Sequence, residues 1–64
     1  MNFSMAKKSV LEEAIKKLEH SNNVLRQTLH TTHGKEAKAI SENIARNDSM
    51  ILDYQFRLKT EGEN

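Results

Sequence analysis

LEEAIKKLEHSNNVLRQTLHTTHGKEAKAISENIARNDSMILDYQFRL, from Leu11 to Leu58, carries two apolar stripes that mirror each other about its one glycine, Gly34. The first stripe is Leu11, Ile15, Leu18, Asn22, Leu25 and Leu29. The second is Ile40, Ile44, Asn47, Ile51, Tyr54 and Leu58. Steps of three and four residues average about 3.5, the repeat of slightly supercoiled helices that pack at about 20°. Folding the chain back at Gly34 sets Leu29 opposite Ile40, Leu25 opposite Ile44 and Leu18 opposite Ile51. Ile15 then meets Tyr54, and Leu11 meets Leu58. The polar member of each stripe obeys the same symmetry, with Asn22 facing Asn47. The pattern predicts an all-α fold: a two-helix antiparallel hairpin with a coiled-coil-like seam.

A polar residue inside such a seam weakens the fold and can set its register. If Asn22 and Asn47 hydrogen-bond to each other, a one-heptad slip would leave each amide against leucine or isoleucine. That costs roughly 1–3 kcal/mol per unsatisfied group. The alternative is that one amide points outward and positions a water. Leu25 and Ile44 belong to the same seam, and truncating either to alanine should cost about 2–5 kcal/mol if it is buried.

Outward from the seam, Ser9 and Glu12 fit the S-x-x-E capping box at the start of helix 1. Ser4 is an earlier competing cap, which would add a frayed turn. Helix 1 is expected over about 5–32, followed by a turn at 33–34 with Gly34 in the left-handed conformation. Helix 2 should span about 35–59, with Glu36 well placed in its first turn. Residues 60–64 carry no apolar anchor and are expected to be disordered. Glu12–Lys16, Glu13–Lys17, Glu42–Arg46 and Asp53–Arg57 are i,i+4 pairs that mark solvated faces. No domain boundary, repeat or low-complexity tract interrupts the chain, so residues 1–64 read as one hairpin domain.

The composition narrows the function. At 64 residues, one core rarely supplies more than about 3–5 kcal/mol. There is no cysteine, hence no disulfide or thiolate metal site, which fits a reducing cytoplasm. Net charge is +1 with the signs interleaved, so no basic face for nucleic acid stands out. Apolar runs fall far short of the ~20 residues of a membrane span. The opening MNFSMAKKSV lacks the apolar core of a signal peptide. A soluble cytoplasmic protein is expected, with no nucleic-acid or membrane partner. The apolar residues outside the seam (Val10, Ala14, Val24, Met50, Leu52, Phe56) form no second heptad stripe, which points to a monomer or weak homodimer.

Few residues are candidates for chemistry. His30 and His33 lie three apart near the turn, but two imidazoles without a third ligand make a weak metal signal. They read instead as exposed residues near the carbonyl end of helix 1, where a cation is welcome. His20 reads as surface. No nucleophile–base constellation or phosphate loop is visible, and a two-helix chain has no cleft deep enough for a small substrate. An enzyme of this shape must act on a macromolecule that supplies most of the active site. Asp48 is the unusual acid. Its helical neighbours are Ile44, Ala45, Ile51 and Leu52, none of them a cation. Ser41 lies seven residues before it and Gln55 seven after, so the three form a polar track bordered by Ala45 and Leu52.

The segment DSMILDYQ, Asp48 to Gln55, resembles the end of the second helix in the small aspartyl-phosphate phosphatases of the sporulation stage-zero E-like family, from spore-forming bacilli. Members are two-helix hairpins of similar length. Their second helix carries an S-Q-E-L-D motif, then two apolar residues and a Tyr-Gln pair. The motif aspartate stands six residues before the tyrosine, as Asp48 stands before Tyr54. In this register the motif overlies Ile44-Ala45-Arg46-Asn47-Asp48 and shares the aspartate. The resemblance implies hydrolysis of the phospho-aspartate of the response regulator that commits the cell to sporulation, and hence negative regulation of sporulation. It implies Asp48 as the catalytic group, with Ser41, Asn47, Leu52 and Gln55 as contacts to the substrate protein. Asn47 and Gln55 are the amide alternatives to Asp48. No cofactor of the hairpin's own is implied; Mg²⁺ would sit in the regulator's phosphorylation site. The competing reading is a non-catalytic helical adaptor that docks on a partner protein. A helix-loop-helix DNA binder would need a denser basic region than Lys7 and Lys8.

Overall fold

Two helices, α1 (Phe3–Leu29) and α2 (Gly34–Gly62), make up the structure, a computed structural model that describes residues 3–62 and the side chains of 7–60. They fold back along each other into a rod of 50 × 15 × 11 Å. A helix the length of α2 spans roughly 43 Å, so the molecule is about one helix long and two helices wide.

The seam follows the two stripes. Every one of the stripe residues is buried or half-buried, and the flanking residues are almost all exposed. The most enclosed positions are polar: Asn22 is 1% exposed and Asn47 7%, against 9% for Leu11, Ile15 and Ile51. Asn47 Nδ2 donates to Asn22 Oδ1 at 2.9 Å, which places the two amides face to face as the mirror symmetry requires. Neither amide points outward to hold a water. Leu25 and Ile44 are half-buried rather than buried, because a two-helix rod leaves one flank of each seam residue open.

The helix ends differ from expectation. The chain is already helical from Phe3, so Ser9 lies inside α1 and cannot cap it. Met5, Ala6, Lys7 and Lys8 are all strong helix formers, and extending an existing helix adds a backbone bond for each residue fixed. At the other end α1 stops at Leu29, short of Thr31 or Thr32. Three tighter bonds close it: His30 N–H to Gln27 O, Thr31 N–H to Thr28 O, and Thr32 N–H to Leu29 O. The hydroxyls of Thr31 and Thr32 both donate to the Thr28 carbonyl, at 3.2 and 2.6 Å, adding to the Thr31 N–H already on it and tying the turn to the helix end. Gly34 takes a φ of +67°, the left-handed conformation expected of it, as the first residue of α2.

Helix α2 continues to Gly62, so residues 60–62, expected to be disordered, are helical. The Thr60 hydroxyl donates to the carbonyls of Phe56 and Arg57, local bonds that hold the last turn without an apolar anchor. Residues 63 and 64 of that expected tail lie outside the described residues. Of the expected i,i+4 pairs, Asp53–Arg57 closes at 3.2 Å, and the Arg57 guanidinium also lies 5.9 Å from the Tyr54 ring centre. Among the described residues Glu12–Lys16, Glu13–Lys17 and Glu42–Arg46 do not close. Pairs in full solvent gain too little to hold two long side chains in one geometry.

Candidate functional site

Two members of the polar track of helix 2, Ser41 and Asp48, line a groove along the seam. Asp48 follows the seam residue Asn47 on α2, and Arg26 follows the seam residue Leu25 on α1. Reversing one helix against the other brings these two positions to the same side of the seam. Arg26 Nη2 accordingly lies 3.7 Å from Asp48 Oδ1. The helical spacing of α2 alone places no cation around Asp48. The antiparallel partner supplies one, and this flanking geometry is the signal that would have found it.

Asp48 has a second partner. Asn22 Nδ2 donates to Asp48 Oδ1 at 2.8 Å. The polarity of the chain of bonds follows from chemistry: a carboxylate only accepts, so Asn22 must turn its NH₂ towards Asp48 and its carbonyl towards Asn47. The resulting order is Asn47 to Asn22 to Asp48, donor to acceptor, beginning in the seam and ending on a charge at the surface. Both contacts to Asp48 converge on Oδ1, and its side chain is 50% exposed. The Arg26 side chain is 52% exposed, so the ion pair is solvated and long, worth about 0–1 kcal/mol, and easily opened.

Around this carboxylate is a shallow depression of about 370 Å³ lined by Glu19, Asn22, Asn23, Arg26, Asp48 and Ile51. A second, of about 450 Å³, is lined by Arg26, Leu29, His30, Ser41 and Ile44. Arg26 borders both, so one shallow trough follows this side of the rod. Its floor is seam and its rims are charged or polar. A rod this thin encloses no small molecule. A trough of this kind can receive an edge of another protein and present the Asp48 carboxylate to it.

The other sequence candidates divide cleanly. Ser41, Leu52 and Gln55 are exposed along α2, with Leu52 at 67%. Asn47 is a correction: it is 7% exposed and its Nδ2 donates to Asn22 inside the seam, so it offers a docking partner little surface, either as a contact or as an amide alternative to Asp48. Sequence reasoning also missed Asn22 as a donor to Asp48. His20, His30 and His33 are all exposed, and among the described residues no group of three or more His, Cys, Asp or Glu could hold a metal ion. Among the described residues no helix is long and apolar enough to cross a membrane. Compared with known proteins, the chain matches no family model, no curated protein and no solved structure at a significant level.

Proposed function

We propose that this hairpin is a regulatory phosphatase that hydrolyses the aspartyl phosphate of a sporulation response regulator in the cytoplasm, and so restrains sporulation. The observation that carries the reading is Asp48: a half-exposed carboxylate on the rim of a shallow, open depression, with one oxygen engaged by the seam. The spacing of Asp48 to the Tyr54-Gln55 pair and the hairpin layout support it.

The chemistry asks little of the hairpin. An acyl phosphate is already labile, and the regulator contributes its own Mg²⁺ and lysine. Water attacks phosphorus in line, the bond between phosphorus and the carboxyl oxygen breaks, and the regulator's aspartate leaves as a carboxylate with inorganic phosphate released. Rate enhancement then comes from alignment of the water and from the charge around the transferring group. Asp48 orients that water or engages the regulator's lysine. Ser41, Leu52 and Gln55 along the same helix contact the regulator's surface.

The test is a label-loss assay with the ³²P-phosphorylated regulator and its Mg²⁺. Loss should accelerate with the wild-type hairpin and return to the regulator's own rate with Asp48→Ala, while helical circular dichroism persists. A second reading, a non-catalytic adaptor, draws on Leu52 and Phe56, which stand one helical turn apart and are 67% and 65% exposed. Binding to the regulator with an unchanged label lifetime decides for the adaptor.

A further inference from the structure

We propose that Asn22 is a positioning residue whose buried amide holds the Asp48 carboxylate in one orientation at the rim of the trough. The inference rests on the phosphatase reading for its consequence in catalysis, and on geometry alone for the positioning itself. Asn22 is the most enclosed residue described, at 1% exposure. It is hydrogen-bonded on both sides, accepting from Asn47 at 2.9 Å and donating to Asp48 at 2.8 Å.

A pair of asparagines is enough to index the seam, and the Asn47–Asn22 bond does that. The bond from Asn22 to Asp48 leaves the seam and ends on a half-exposed charge. Its donor end cannot move, because it is packed between two helices and bonded from behind by Asn47. Aspartate has a short side chain, so fixing one oxygen fixes most of its rotational freedom. Hydrogen bonds to an ionised acceptor are about twice as strong as neutral ones, and a donor polarised by the bond behind it is stronger again. Arg26 cannot hold the carboxylate in this way, because it reaches Asp48 at 3.7 Å on a long, half-exposed side chain. The interior thus sets where the carboxylate points, and the ordering cost is met before any partner arrives.

The decisive variant is Asn22→Leu/Asn47→Leu, which continues the apolar stripe on both helices and removes the donor to Asp48 without touching the rim. Three-bond couplings in isotope-labelled protein report the χ1 rotamer of Asp48. Wild type should show one rotamer and the double variant an average over several, with helicity and urea midpoint kept or raised. In the label-loss assay kcat should fall on the order of tenfold, while KM for the phosphorylated regulator changes little. Nuclear Overhauser contacts between Leu18 and Ile51 report that the double variant keeps the wild-type register, and in that register a purely structural role for Asn22 does not produce a loss of kcat in a protein that is no less stable. Asp48→Ala, which leaves the seam intact, serves if the double variant does not fold: the Asn22 side-chain amide protons should then shift and exchange faster with solvent. Rotamer averaging in wild type, a single rotamer retained without Asn22, or an Asn22 amide indifferent to loss of Asp48 each overturns the proposal. Full kcat in the folded double variant overturns the catalytic part. A wild-type protein that leaves the label lifetime unchanged removes the phosphatase reading, and the couplings still decide whether Asn22 positions Asp48.

Discussion

At the scale of single residues, the most enclosed groups of this molecule are two amides, one of them bonded to a carboxylate at the rim. Replacing one member of a buried hydrogen bond strands the other. Asn47→Leu should therefore lower stability by about 1–3 kcal/mol in urea melts, because it leaves the Asn22 carbonyl enclosed without a donor. The surface pair behaves differently. Arg26→Ala should change stability by less than about 1 kcal/mol, and added salt should shrink that difference further. Asn22 facing Asn47 was legible in the sequence because both interrupt otherwise apolar stripes at mirror positions. The environment of Asp48 was only half legible. Its neighbours on α2 follow from helical spacing, whereas Arg26 and Asn22 reach it from α1. Finding them required carrying the register through to the positions that flank the seam.

At the scale of elements, the two helices were legible and their ends were not. Periodic apolar residues locate a helix interior, since only burial on one face enforces the spacing. Ends are decided by small local terms. Strong helix formers carry α1 back to Phe3 past the apparent cap at Ser9, and threonine hydroxyls close it at Leu29. Gly34 is the exception, because its backbone angle has no cheap substitute. A Cβ added there would meet nothing within 4 Å, so the cost of substitution is backbone strain alone. Gly34→Ala should lower stability by roughly 1–2 kcal/mol. Gly34→Asn should lose less, since asparagine tolerates the left-handed region better. Chemical denaturation of the two variants side by side checks the order.

At the scale of the whole molecule, a rod two helices thick has one seam and little reserve. Only Leu11, Ile15 and Ile51 are apolar and buried among the described residues. Ile51→Ala should cost about 2–5 kcal/mol, comparable with the roughly 3–5 kcal/mol that a core of this size supplies. Its helical circular dichroism at room temperature should fall well below that of wild type. The exposed apolar residues Val10, Leu52 and Phe56 do not line up in a second seam. Sedimentation at tens of micromolar should thus give an elongated monomer or a dimer that dissociates on dilution. The hairpin architecture itself was legible, because mirrored stripes about one glycine leave a two-helix chain no other way to bury both. The amide pair also acts as an index pin for the working face. Sliding one helix by a heptad would carry a side chain about 10 Å along the rod, farther than an arginine or an asparagine can follow. Where the carboxylate stands relative to everything on the opposite helix is therefore graduated by a single notch, cut in the middle of the molecule.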